Sequence, residues 1–471
     1  MRYVMSVHAK DNFLGPYWGS SYSFSQGRDP LGIQRSSIAA YGVLVPGLTN
    51  LTKRIRYYGF YCWLIEFYLE KIMANEKDKI KGFKRFVRRS EFFIAIIMQA
   101  FDKEILGIPG SLKATQYLKE FESNKNQNYD IKTYGDDTKN GYWRYSSGAF
   151  GQYFVGSLKD LGLIDDVDKY IGIYYATKKG KLLGDAFYKN ACKKLEPKFI
   201  DKVFRNINDI GVIKSQDAKK IFGGFNMSII PENTKEHKLY SDILLGDDTV
   251  LKKKNEYKNF RKDSIDFIKN INKEAISNSE FFRNYHANTF EVSNDSSNSS
   301  VGWRYFQINE YTNYAHVTLL WGLLNWLYNF NEKFIHIDDL INQISNELVK
   351  DISKIIKMNK TQLFLNNILN SDNIDIDINK TFDEIVTIKR NNKSKYIHAM
   401  SLAVVCILAV FKKYRDNFKD IKLICDQYEM RRFGDVFDNF ELLLKQTDYQ
   451  LNDLIKSIQL ENVINKHIYT A

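Results

Sequence analysis

The stretch RYSSGAFGQYFVGSLKDLGLIDDVDKYIGIYYATKKGKLLGDAFY, residues 144–188, has the clearest order of elements in the chain. Ser146-Ser147 suits a helix start, because a hydroxyl there accepts an orphan backbone N–H of the first turn. Phe150, Phe154, Leu158 and Leu161 then fall on one helical stripe, and Gly162 stops it. Leu163-Ile164 begins a strand, Asp165, Asp166 and Asp168 form an acidic turn, and Ile171–Tyr175 reads as the returning strand. Thr177 caps a further helix, with Gly180 near its start. The spacing predicts helix, two-stranded hairpin, helix.

With "LGLI" before the hairpin and "ATKKGKLL" after it, this order is similar to the recognition half of bacterial winged-helix regulators. The resemblance implies that the helix at about 147–161 enters or lies along a DNA groove. Ser146, Ser147, Gln152 and Lys159 are then candidate contacts, and Lys178 and Lys179 would meet phosphate. The expected fold class is mainly α: an N-terminal half containing a winged-helix unit with a small β-wing, followed by a helical C-terminal domain. The expected division is 1–200 and 201–471, with the boundary between 200 and 260.

Upstream, residues 1–35 are rich in Gly, Ser, Tyr and Arg and read as a loop-rich opening. Pro46-Gly47-Leu48-Thr49 leads into a long helix expected over 51–74, capped by Thr49 or Asn50. Ile55, Tyr58, Cys62, Ile65 and Leu69 carry its apolar spacing, while Lys53, Arg54 and Arg56 crowd its start. Cations there oppose the helix dipole, so either an anion holds them or they are merely solvated. Lys79–Arg89 is a second basic stretch, with Lys84, Arg85, Arg88 and Arg89 running into an apolar helix at Glu91–Phe101. Residues 105–140 read largely as loop. Downstream of 190 the chain looks helical, with a surface connection at 229–255 and a Ser/Asn-rich loop at Ser293–Ser300. Trp303–Phe330 and His398–Phe418 are strongly apolar helices, and Asp372–Asn379 is a short strand or a loop.

The 471 residues suffice for two or three domains, and 44% apolar content with 32 Phe and 30 Tyr supplies a core. The net charge is +12. Residues 1–200 carry 31 Lys+Arg against 20 Asp+Glu, a net of +11; residues 201–471 carry 37 against 36, a net of +1. A basic field confined to one half suits a polyanion, nucleic acid first and a membrane surface second. Tyr142-Trp143-Arg144-Tyr145, Arg56-Tyr57-Tyr58 and Trp303-Arg304-Tyr305-Phe306 interleave cation and ring. Such clusters either stack bases and hold phosphates or pack as core with the cation snorkelling outward. Arg144 gains weight because it directly precedes the proposed recognition helix.

Cys62, Cys192, Cys406 and Cys425 are far apart, without CxxC or zinc spacing, and are expected to be free thiols in a reducing cytosol. Met1–Met5 lacks a signal-peptide core, and the longest apolar runs, Met400–Phe411 and Val317–Leu327, are too short to span a bilayer. The expectation is a cytoplasmic protein with no membrane partner. No Walker loop, dinucleotide fingerprint, G-x-S-x-G or H-E-x-x-H is present, so no cofactor, metal or catalytic residue is assigned. Weaker catalytic candidates are Asp375 and Asp377 with Lys380, Arg390 with His398, Arg283 with His286, and Cys192 beside Lys193-Lys194.

The runs "DPLGIQ" (29–34) and "PGLTNLTKRIRYYGFYCWL" (46–64) resemble a signature in an uncharacterised family of bacterial proteins encoded in phage-defence and mobile-element neighbourhoods. "GIPG" (107–110), "YWRYSS" (142–147) and "LKDLGLI" (158–164) follow in parallel order, so the resemblance covers about 29–190. It implies a subunit of a multi-gene anti-phage or anti-plasmid system acting with an ATPase or nuclease partner, and it carries over no catalytic residues. The resulting expectation is a non-catalytic subunit that binds double-stranded DNA. The alternatives are a scaffold bridging an ATPase and a nuclease, and a helical-bundle nuclease effector.

Overall fold

The computed structural model describes residues 34–49, 51–102, 107–123, 127–136, 138–245, 260–271, 298–330, 335–432, 435–445 and 448–456. The protein is mainly helical. Its described elements begin with α1 (Gln34–Leu44), α2 (Arg56–Lys71), α3 (Lys79–Phe101), α4 (Ser111–Ser123), β1 (Asn128–Asp130) and α5 (Lys132–Gly135). A π-helical turn at Phe150–Phe154 runs into α6 (Val155–Asp160), followed by β2 (Ile164–Val167), β3 (Tyr170–Ala176) and α7 (Lys178–Cys192). Then come α8 (Pro197–Asp209), β4 (Val212–Lys214), α9 (Ser215–Phe225), α10 (Lys235–Leu245), α11 (Phe260–Ile271) and α12 (Asn298–Asn329). The rest is helical: α13 (Ile337–Ile355), α14 (Leu365–Leu369), α15 (Ile378–Asn391), α16 (Tyr396–Tyr414), α17 (Phe418–Gln427), α18 (Val436–Lys445) and α19 (Leu451–Leu454).

The chain divides into two compact units: 39–305 with 423–430, and 1–38 with 306–422 and 431–471. The first unit therefore extends well past residue 200. The reason is aromatic packing. Trp63 on α2 meets Phe204 of α8 at 4.7 Å and Phe225 of α9 at 5.3 Å between ring centroids. The same helix sends Tyr61 to Phe150 at 5.0 Å and Phe154 at 4.8 Å. Each fully buried ring of this size contributes about 1.5–3 kcal/mol of transfer free energy, so α8 and α9 cannot be separated from α2 without exposing the core.

Helix α2 begins later than its apolar spacing suggests, at Arg56 instead of Leu51. Thr49 accepts the N–H of Leu51 at 3.1 Å in a local turn and caps no helix; Asn50 lies outside the described residues. Asp78 starts α3 by accepting the Lys81 N–H at 3.0 Å, and proline at the first position suits α8. The stretch 105–140 holds a helix and a strand that its sequence hides: Gly107 and Gly110, both at positive φ, bracket Pro109 and turn the chain into α4. β1 pairs antiparallel with β4, Tyr129 opposite Ile213.

Between 150 and 192 the expected order is present. β2 and β3 pair antiparallel with Ile164 opposite Ala176, and the Thr177 hydroxyl accepts the Gly180 N–H at 3.1 Å. α7 packs along α2 because Gly184 leaves room for the α2 backbone, and Gly180 does the same for the chain entering β2. A Cβ on Gly184 would lie 2.8 Å from the Trp63 amide nitrogen, and one on Gly180 would lie 1.9 Å from the Leu163 carbonyl oxygen. Gly→Ala in a helix ordinarily gains up to about 1 kcal/mol. At Gly180 a clash with backbone outweighs that gain, since overpacking costs about 1–3 kcal/mol. Gly180→Ala should therefore lower the thermal midpoint. Gly223→Ala on α9, where a Cβ would meet nothing within 4 Å, should raise it; thermal denaturation followed by circular dichroism reads both.

In the second unit, α16 is apolar and long enough to cross a membrane by length and composition, and residues Ala399–Phe411 of it are buried. Asp372–Asn379 is neither strand nor free loop: a short turn at Asp372–Ile374 leads to Asp377, which caps α15 by accepting the Lys380 N–H at 3.0 Å.

Candidate functional site

Three of the expected nucleic-acid contacts are in the core. Arg56, Arg88 and Arg89 are only 3%, 3% and 6% exposed. The Arg56 guanidinium donates to the Glu236 carboxylate at 3.0 Å and to the Asn226 carbonyl, and lies 5.1 Å over the Phe187 ring. Glu236, fully buried, also accepts from Asn190 at 2.7 Å. Arg89 forks onto both oxygens of Asp136 at 2.6 Å and reaches the carbonyls of Ile207 and Asn208. Arg88 donates to the carbonyls of Gly135 (2.8 Å), Tyr145 (2.6 Å) and Trp143 (3.0 Å), and lies 5.0 Å over the Tyr142 ring. Their donors are turned inward, so the expected contacts of these three residues are corrected to structural ones. Lys84, Arg54 and Arg85 are half-buried, and Arg85 is paired with Glu76 at 2.5 Å.

Arg88 works with Glu91, one turn further along α3. The buried Glu91 carboxylate accepts from the Tyr61 hydroxyl (2.6 Å), the Tyr142 hydroxyl, and the backbone N–H groups of Ala149 (3.0 Å) and Phe150 (2.6 Å). Two of those donors are the orphan amides at the start of the helical segment 150–160, the role sequence spacing assigns to Ser146-Ser147. Burial pushes the Glu91 carboxyl up from its ordinary range, against the four hydrogen bonds that favour its ionised form. Together Arg88 and Glu91 fix the segment 142–150 from beneath, leaving Arg144, Tyr145 and Ser146 exposed.

That segment forms one wall of a cleft of about 650 Å³. Its other walls are Leu51 and Lys53, the Gly107–Lys113 turn with Gln116, and Lys139–Gly141, with Tyr153 below Trp143. Among the described lining residues four side chains are cationic, Lys53, Lys113, Lys139 and Arg144, and none is a carboxylate. The Trp143 ring meets Tyr153 edge-on at 5.5 Å, and its indole N–H donates to Gln152 at 2.8 Å. Rings and cations thus share one concave surface. Lys53 and Arg144 are the expected residues that this cleft brings together. Lys113 and Lys139 join them with no local sequence signal beyond the Gly-Ile-Pro-Gly-Ser turn at 107–111.

The helical segment 150–160 presents a different surface. Gln152, Gly156 and Asp160 are exposed on it. Lys159 is paired with Asp166 of the hairpin and lies 5.2 Å over Tyr174. Lys179 donates to the Leu161 carbonyl at 2.7 Å and so closes the end of the segment. Lys178 and Ser146 are exposed, and Ser147 is half-buried. Asp160, Asp166 and Asp168 are exposed here together with Lys169 and Lys178, and Asp166 is paired with Lys159, so this surface carries both signs of charge.

The catalytic candidates of the second unit are occupied with structure. Asp375 pairs with Lys412 at 2.9 Å. His398 sits between two carboxylates, Asp351 on Nδ1 at 2.8 Å and Glu384 on Nε2 at 3.5 Å, which ties α13, α15 and α16 together. Arg283 and His286 lie outside the described residues. Cys62, Cys406 and Cys425 are buried and Cys192 half-buried; burial pushes the Cys192 thiol up, which disfavours a reactive thiolate. Among the described residues no group of three or more His, Cys, Asp and Glu is placed to hold a metal ion. Comparison with the models of known families, with curated proteins and with solved structures finds no match.

Proposed function

We propose that the protein binds nucleic acid, DNA in the first place, through the cleft between Lys53, Lys113, Lys139 and Arg144. One observation carries this reading: four cations and the rings of Trp143, Tyr142 and Tyr153 line a single concavity with no carboxylate among its described residues. Like charges gathered on one surface repel one another, and a bound polyanion relieves that repulsion. Ser146 and Lys178 remain as exposed contacts beyond the cleft, while Arg56, Arg88 and Arg89 leave the list. The helix–hairpin–helix order at 150–192 supports a winged-helix module whose outer face, mixed in charge, is less basic than the cleft. The setting implied by the sequence resemblance, a subunit acting with an ATPase or nuclease in bacterial defence, belongs to the same proposal.

The double charge reversal Lys53→Glu/Arg144→Glu tests it, because both side chains are exposed and their loss should not unfold the protein. Fluorescence anisotropy with labelled DNA should show weaker binding and a flatter salt dependence. Each lost phosphate contact removes about 0.7–0.9 from the slope of log K against log salt. Binding that is absent in the unaltered protein, or that ignores salt, defeats the proposal.

A second reading, a scaffold subunit, is favoured by exposed apolar side chains on α12: Val317, Leu324, Leu327 and Tyr328, the last 88% exposed. Isolated exposed apolar residues are ordinary, but a stripe at this helical spacing marks interaction surfaces. Under this reading the double reversal leaves complex assembly intact.

A further inference from the structure

The cleft has a shape as well as a charge, and the shape restricts what state of nucleic acid it accepts. We infer that it takes a phosphorylated nucleoside whose base is unpaired, with the phosphate among Lys53, Lys113, Lys139 and Arg144 and the base against Trp143. This inference rests on the nucleic-acid reading above and narrows it.

The first ground is size and curvature. A volume of about 650 Å³ falls in the range of about 300–1,000 Å³ typical of sites for single small ligands. Duplex DNA is read by convex elements, helices or ribbons that project into its grooves. A concave pocket offers a duplex only its rim. A single nucleotide extending from a strand fits inside it.

The second ground is the mixture of groups. Phosphate alone would be served by cations; a tryptophan beside them adds a flat apolar face. Trp143 is partly exposed, its indole N–H is satisfied by Gln152, and its orientation is set by Tyr153 and by the Arg88 bond to its carbonyl. A ring fixed in this way stacks a base of any sequence, as in single-strand binding grooves, and stacking is lost when the base is paired within a duplex. Lys113 lies 4.7 Å over the Tyr134 ring and 3.0 Å from Gln116 Oε1, which holds its ammonium on the wall of the cleft. The third ground is the apolar rim. Leu51 and Leu112 stand 57% and 89% exposed at the mouth, where sugar and base edges would cover them.

The experiment uses the full chain and three probes: a 3′-labelled single-stranded 12-mer carrying a 5′-phosphate, the same sequence as a blunt duplex, and unlabelled dAMP with inorganic phosphate as competitors. The single strand should bind at least tenfold tighter than the duplex. Trp143→Ala should weaken single-strand binding about tenfold and leave duplex binding unchanged, and Trp143→Phe, which keeps a ring, should restore most of it. Lys139→Glu, at an exposed position, should weaken the single strand even if Trp143→Ala proves unstable. Displacement by dAMP but not by phosphate identifies the free nucleotide as a ligand; displacement only by unlabelled strand identifies the strand, and both uphold the inference. Equal affinity for strand and duplex, with ordinary salt dependence, overturns it while leaving nucleic-acid binding intact. No affinity for either probe overturns both.

Discussion

Arg56→Ala should strongly destabilise the first unit before it changes any affinity. The substitution leaves Glu236, fully buried, without its cation and deprives the Asn226 carbonyl of a donor. Breaking a buried ion pair by removing one partner costs about 3–5 kcal/mol, against a total stability of about 5–15 kcal/mol for a domain. The network is wider than the pair. Tyr240 accepts the Gly59 N–H at 3.2 Å and donates to the Arg56 carbonyl at 3.1 Å, and Asn190 joins Glu236 to α7. α2, α7 and α10 therefore share one polar knot. In urea titrations followed by far-ultraviolet circular dichroism, Arg56→Ala should lower the midpoint steeply. The double variant Arg56→Met/Glu236→Met should recover much of the loss, because removing both charges leaves no uncompensated ion. A single variant with a native midpoint and weaker nucleic-acid binding would instead return Arg56 to the ligand.

Glu91→Ala should be of similar size. It strands two hydroxyls and two backbone amides in the core, and each buried donor without a partner costs about 1–3 kcal/mol. Glu91→Gln keeps the shape but turns an amide N–H₂ toward donors, so part of the loss should persist. The pair of proteins also carries a pH signature. Burial raises the carboxyl in the folded state above its ordinary range, so folding favours the protonated form. Stability owed to Glu91 is then fullest below the ordinary carboxyl range and is lost as pH rises through the raised folded value. The stability of the native protein relative to Glu91→Gln should decline from acid toward neutral pH. A difference that grows with pH would mean that the hydrogen bonds dominate and the carboxylate is held ionised.

The local features of 150–192 were legible because they depend on near neighbours. Thr177 caps three residues ahead, Gly162 stops the helical segment, and the run of Ile and Tyr at 170–175 makes a strand. The fate of the arginines was not legible, because their partners are distant in sequence. Arg56 meets Glu236 after 180 residues, and Arg89 meets the Ile207 and Asn208 carbonyls after nearly 120. A run such as Lys84-Arg85-Phe86-Val87-Arg88-Arg89 reads as one basic stripe, yet on α3 the helical turn sends Arg88 and Arg89 inward and leaves Lys84 and Arg85 half-buried. The charge bias of residues 1–200 consequently overstates the basic surface. The cleft is half legible: the aromatic neighbours of Arg144 mark it in the sequence, but nothing local tells that Lys53, Lys113 and Lys139 converge on it.

The grip of Arg88 on the carbonyls of Gly135, Trp143 and Tyr145 also sets how the cleft wall breathes. An irregular segment would ordinarily exchange its amide hydrogens through small local openings. Here detaching the segment means withdrawing a guanidinium from three carbonyls and an aromatic face inside the core. The amide hydrogens of Tyr142, Gly148 and Ala149, whose N–H groups are bonded to Tyr134, Tyr145 and Glu91, should therefore exchange at rates near those of α3 itself. A wall of this kind arrives at its ligand already ordered, with little conformational entropy left to lose on association.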